Sequence, residues 1–124
     1  MVRETEISRL EVLEHGIIQH TYKDGSTVDL AEANRVIDLV DELVGDQRLL
    51  LLNDMRAKVT FTREARTFFR ENTKPDAAVA FIINSKIGEV ALNFFLKFNS
   101  PNYQLKVFQE RDEGHAWLVS EAKK

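Results

Sequence analysis

The densest run of chemistry-bearing side chains lies between Arg56 and Lys74. Six basic residues (Arg56, Lys58, Arg63, Arg66, Arg70 and Lys74) stand there against two acidic ones (Glu64 and Glu71), a local +4 in a chain of net charge −3. At helical spacing Arg63, Arg66 and Arg70 fall within about 60° of one another. Arg56 and Lys58 precede a helix start that Thr62 can cap, where free N–H groups and the helix dipole favour an anion. Such a face can recognise a phosphate or an acidic partner. The plainer alternative is a solvated helix surface, the usual fate of a charge run.

Other candidate chemistry is thin. His15 falls in a turn, His20 on an edge strand and His115 on the last helix, and none belongs to an HExxH-like pair, so no metal site is expected. The five glycines form neither GxGxxG nor a P-loop, and Ser26, Ser85 and Ser100 lack a GxSxG context. Nucleotide motifs and a nucleophile elbow are therefore unsupported. Asp24, Asp29 and Glu32 cluster, but turn and cap roles account for them. With no cysteine, disulfides and thiolate chemistry are excluded. The expectation is a non-enzymatic protein without metal or cofactor.

Composition bounds the class. At 124 residues, 44% hydrophobic and 30% charged, the chain reads as one globular domain over 1–124. Its negative charge argues against nucleic acid. The stretch MVRETEISRL places charges where an export signal needs an apolar run. The runs Leu49–Leu52 and Ala77–Ile83 fall far short of the ~20 residues of a membrane span. A cytoplasmic protein with no stable membrane insertion is expected.

Elements able to position these residues follow from periodicity. Residues 7–13 and 17–22, separated by Glu14-His15-Gly16, read as an antiparallel hairpin at a sheet edge. Asp29 caps a helix over 29–44, with Glu32 as its capping-box partner and Gly45 as its stop. Leu49–Leu52 and Ala77–Ile83 are continuous apolar runs, as in strands buried on both faces. Thr62 caps a helix over 62–72 whose apolar stripe, Ala65, Phe68 and Phe69, is narrow; Ser85 caps another over 85–98. A strand at 105–108 and a helix at 111–121 complete the order β-β-α-β-α-β-α-β-α, an α/β sandwich with a mostly parallel sheet.

The helix over 85–98 has an apolar surplus. Ile87, Val90, Ala91, Phe94, Phe95 and Phe98 span about 140° and are expected to face the sheet. Leu92 and Leu96 lie beside and opposite that face, and a contiguous apolar patch usually marks contact. With Asn99 and Tyr103 of the following loop they form a candidate interaction surface. A homodimer, a protein partner, an apolar ligand, or coverage by the same chain would each account for it.

The segments VDLAEA (28–33), FTREARTFF (61–69), AVAFIINSKIGEVALNFFLKFNSPNY (78–103), LKVF (105–108) and AWL (116–118), with the strand ending at Asp54, resemble the SpoIIAA-like fold of STAS domains. The chain looks most like uncharacterised bacterial STAS/SEC14-like proteins. That resemblance implies a regulatory, protein-binding domain, with a lipid-like apolar ligand as the SEC14 alternative. In the anti-sigma-factor antagonists a serine in a DSxG motif is the phosphorylation switch. The matching region, 54–62, has Thr60 and Thr62 but no serine, and Thr62 is the nearest positional match.

Overall fold

Both continuous apolar runs become central strands of a six-stranded sheet. The computed structural model describes residues 1–98 and 101–124, the side chains at 91 and 94–98 excepted. The strands are β1 (Val2–Glu4), β2 (Ser8–Val12), β3 (Ile18–Tyr22), β4 (Ser26–Val28), β5 (Leu50–Asp54), β6 (Val59–Phe61), β7 (Ala78–Ile82) and β8 (Gln104–Phe108). The helices are α1 (Leu30–Val44), α2 (Arg63–Asn72), α3 (Lys86–Phe98) and α4 (Arg111–Ala122). The main sheet runs β1-β2-β3-β5-β7-β8, and β4 pairs with β6 in a separate two-stranded sheet. β1 to β3 are antiparallel; β3, β5, β7 and β8 pair in parallel.

The expected architecture holds, with additions. β1 lies outside β2, so the 8–22 hairpin is not the sheet edge; β3 sits inside, paired with β5. β1, β4 and β6 have three residues each, too short to show a period.

Caps fall where short polar residues precede the helices. Asp29 accepts the Glu32 amide at 2.9 Å, Thr62 the Ala65 amide at 3.1 Å and Ser85 the Gly88 amide at 3.0 Å. Gly45 ends α1 at φ 60°, a left-handed value that glycine adopts without strain. The expected capping box does not close through Glu32. Its buried carboxylate instead accepts from the Thr5 hydroxyl at 2.5 Å and the Arg35 guanidinium at 3.0 Å. The first turn of α1 is thereby tied to the turn between β1 and β2.

Alternate residues of β5 and β7 build two layers. On one face Leu50, Leu52, Ala78, Ala80 and Ile82 pack with Ile17 and with Leu118 of α4. Gly114 lets α4 approach closely, since a Cβ there would sit 2.6 Å from Ile82 Cδ1. Arg48 fastens the end of α4 by donating to the Glu121 carboxylate and carbonyl, both at 3.0 Å. On the other face Leu10, Ile18, Leu49 and Ala77 meet Val36 and Val40 of α1.

Two residues of the face expected to seat α3 on the sheet, Ile87 and Val90, are corrected, and the side chains of Ala91, Phe94, Phe95 and Phe98 lie outside the described residues. Ile87 is 83% exposed and Val90 58% exposed, whereas Leu92, expected to be outside, is half-buried. Asn93 donates to the Val107 carbonyl at 3.4 Å, and α3 packs along β8. With apolar residues all round, periodicity alone could not choose the inner face. The side chain of Leu96, and Asn99 altogether, lie outside the described residues.

Candidate functional site

Between α2, the sheet and the segment entering β8 is an apolar groove enclosing a cavity of ≈ 280 Å³. Its floor is built by register: Leu51 lies beside Val79, Asn53 beside Phe81, and Val79 beside Leu105, all on one sheet face. Phe61, Phe69 and Met55 form a wall, and Pro101 and Tyr103 a lip. Phe61 stands edge-on to Tyr22 and Phe69, at 5.6 and 6.2 Å between ring centres, a geometry that suits the ring quadrupoles. Arg66, Arg70 and Thr73 of the α2 region complete the lining.

A second depression, of ≈ 640 Å³, lies between α1 and the β1–β2 turn. Its lining is charged apart from Thr5 and Leu39, so it lacks the run of hydrophobic and aromatic side chains typical of small-molecule sites.

A buried polar chain reaches the floor of the groove. His20 Nε2 is 3.0 Å from Ser8 Oγ, and its Nδ1 is 3.2 Å from the Tyr22 hydroxyl. Burial pushes the imidazole down to about 3, so at neutral pH the ring carries one N–H, donating one of these bonds and accepting the other. Burial pushes the Tyr22 phenol well above its usual range; a hydrogen bond from Asn53 opposes this and the Glu32 charge adds to it. Asn53 is 7% exposed, and its Oδ1 has no hydrogen-bond partner among the described residues. Such orphaned acceptors are uncommon in native interiors.

The structure divides the basic patch. Arg66 and Arg70 line the groove, and Arg66 donates to the Phe61 carbonyl at 2.9 Å. Arg56 is committed to Asp54, at 2.9 and 2.7 Å. Burial raises the Asp54 pKa, but these bonds outweigh it and hold the carboxyl below its ordinary range. The Lys58 amide donates to Asp24, and the Lys58 and Arg63 side chains are exposed away from the groove. Thr62 is engaged as the α2 cap.

Of the candidate surface Leu92, Leu96, Asn99 and Tyr103, Tyr103 joins the groove. Burial raises its pKa, against a hydrogen bond from Thr73. Leu92 does not line the groove. His20, expected at an exposed edge, is instead 2% exposed, because β1 and β2 lie outside β3. Sequence reasoning missed Tyr22, Asn53 and the floor. The available signal was the narrow stripe of α2, too small to cover two strands buried on both faces.

Among the described residues, no group of His, Cys, Asp or Glu is arranged to hold a metal ion. No helix there is long and apolar enough to cross a membrane.

A family model described as Domain of unknown function (DUF7793) matches residues 12–121. No curated protein matches the sequence. Among solved structures, the chain is similar to an uncharacterised DUF3478-family protein with a SpoIIAA-like fold from Shewanella loihica PV-4. The TM-score is 0.64 at 11% identity, over 95% of this chain and 90% of that one. It also matches a protein of unknown function from Arthrobacter sp. FB24, at TM-score 0.36 and 26% identity, over 95% of this chain and 97% of that one. The fold is thus SpoIIAA-like.

Proposed function

This chain belongs to the DUF7793 family, and we propose that it is a non-enzymatic, cytoplasmic regulatory domain that binds a small apolar molecule in the groove beside α2. The observation that carries this reading is the ≈ 280 Å³ cavity with an apolar floor and few polar groups. Concave, mostly apolar sites with sparse polar contacts are where small ligands bind. The volume lies near the low end, roughly 300 Å³, of such sites, which favours a single ring system or short chain over a two-chain lipid. The SEC14-like resemblance points the same way. The buried His20 and Tyr22 are both held in their neutral forms, which suits a binding floor better than proton transfer near neutral pH. Native mass spectrometry of freshly purified protein is expected to show a co-purified small molecule. Repeated preparations of clean apo protein would sink the reading.

A second reading, a protein partner or a homodimer through α3, is favoured by one observation. Ile87 and Val90, one helical turn apart, are 83% and 58% exposed, and adjacent exposed apolar residues often mark contact. Under that reading Ile87→Asp lowers the mass seen by light scattering while the monomer stays folded. An unchanged mass would remove it.

A further inference from the structure

Resting on the ligand-binding reading, we infer that the groove is built for an anionic amphiphile: an apolar body across the floor, an acidic group at Arg66 and Arg70, and one hydrogen-bond donor for Asn53. Three observations converge. First, among the described residues the lining includes two arginines and no carboxylate, and no acidic side chain forms an ion pair with either arginine. In a chain of net charge −3, that leaves an uncompensated positive rim on an apolar cavity. Arginine donates in a planar fork that fits carboxylate, sulfonate or phosphate. Arg66 spends one N–H on the Phe61 carbonyl at 2.9 Å, which anchors its guanidinium beside the wall.

Second, Asn53 is buried in the floor with Oδ1 unpaired among the described residues. A buried acceptor without a donor costs stability, and a ligand O–H or N–H within reach would remove that cost. Third, the floor between these polar groups is apolar, formed by Leu51, Val79 and Leu105. Anion contact, apolar body and buried acceptor together describe one ligand class.

A matched pair of fluorescent probes tests this. 1-Anilinonaphthalene-8-sulfonate and N-phenyl-1-naphthylamine share rings and one amine N–H, and differ by the sulfonate. At low salt the full chain is expected to bind the sulfonate probe roughly fivefold more tightly, as for partly exposed ion pairs, with the gap shrinking in high salt. The double variant Arg66→Gln/Arg70→Gln closes the gap, because the sulfonate probe loses more affinity than the neutral one. Asn53→Leu weakens the neutral probe about fivefold, because its amine N–H is free to reach Oδ1, whereas in the sulfonate probe the adjacent sulfonate already engages that N–H. Equal affinity of the wild type for the two probes overturns the anionic class while leaving the groove as a ligand site. A gap that persists in the arginine variant also overturns it. Undiminished binding of the neutral probe by Asn53→Leu overturns the role of Asn53. Failure of both probes to bind the wild type removes the groove reading and this inference together.

Discussion

The two faces of the parallel strands are made by neighbouring residues and meet different ends. Leu50 and Leu52 point to the α4 face and Leu51 to the groove face, yet Leu50 and Leu52 are buried whereas Leu51 stays partly exposed. On the α4 side, Gly114 and Leu118 bring the helix down until no space is left for a methyl group. On the groove side α2 offers only Ala65, Phe68 and Phe69, and these pack with Tyr22, Val28 and Ala33. Leu51, Phe81 and Leu105 remain partly exposed around a cavity. The α4 face is closed against its helix; the other is closed by α1 but keeps an apolar surface available beside α2.

Truncation separates the faces most strongly. Leu52→Ala is expected to cost about 3 kcal/mol, a full core-cavity penalty, and Leu51→Ala under about 1.5 kcal/mol because its surroundings are already open. Urea unfolding of the two variants compares them directly; equal losses would erase the distinction. Loosening α4 comes next. Arg48→Met leaves the Glu121 carboxylate, which is 2% exposed, with Lys124 as its remaining partner. The expected loss is about 2 kcal/mol, below that of a fully buried pair since Arg48 is partly solvated. Lys124 and Arg48 hold the Glu121 pKa below its usual value. The stability they confer is therefore present above the unfolded carboxylate pKa and is lost as pH falls through the lower folded one.

The groove side has its own acid sensitivity. His20 titrates near the ordinary imidazole value of 6.5 when unfolded and is pushed down to about 3 by burial when folded. Between those values the unfolded chain binds more protons, so stability is lost as pH falls, by up to about 1.4 kcal/mol per unit. His20→Phe is expected to flatten that slope in a pH series of thermal melts; an unchanged slope would assign it to other groups. The smallest contrast is in added volume. Gly114→Ala gains about 1 kcal/mol of helix propensity but meets Ile82, for a net loss of roughly 1 kcal/mol. Leu51→Phe grows into open space, so stability changes by less than about 1 kcal/mol while the groove is blocked.

Much of this frame is legible in the sequence alone. The apolar runs at 49–52 and 77–83, and the caps Asp29, Thr62 and Ser85, are local signals, and each settled where expected. What was not legible depends on contacts distant in sequence. His20 could be placed only by knowing that β1 adds outside β2. Ile87 and Val90, expected to face the sheet, proved exposed, because apolar residues lie on more than one side of α3 and periodicity does not rank them. The groove was hidden because Leu51, Val79, Phe81 and Leu105 come from three strands and look like ordinary core. Of the basic run, only Arg66 and Arg70 reach the groove, since helical phase says nothing about where the neighbouring cavity lies.

The most direct test of groove against closed face is methyl NMR of the Leu and Val side chains during titration with N-phenyl-1-naphthylamine. The account predicts shifts at Leu51, Val79 and Leu105, with Leu50, Leu52 and Leu118 unmoved. Shifts spread equally over both sets, or confined to the Leu118 side, would contradict it.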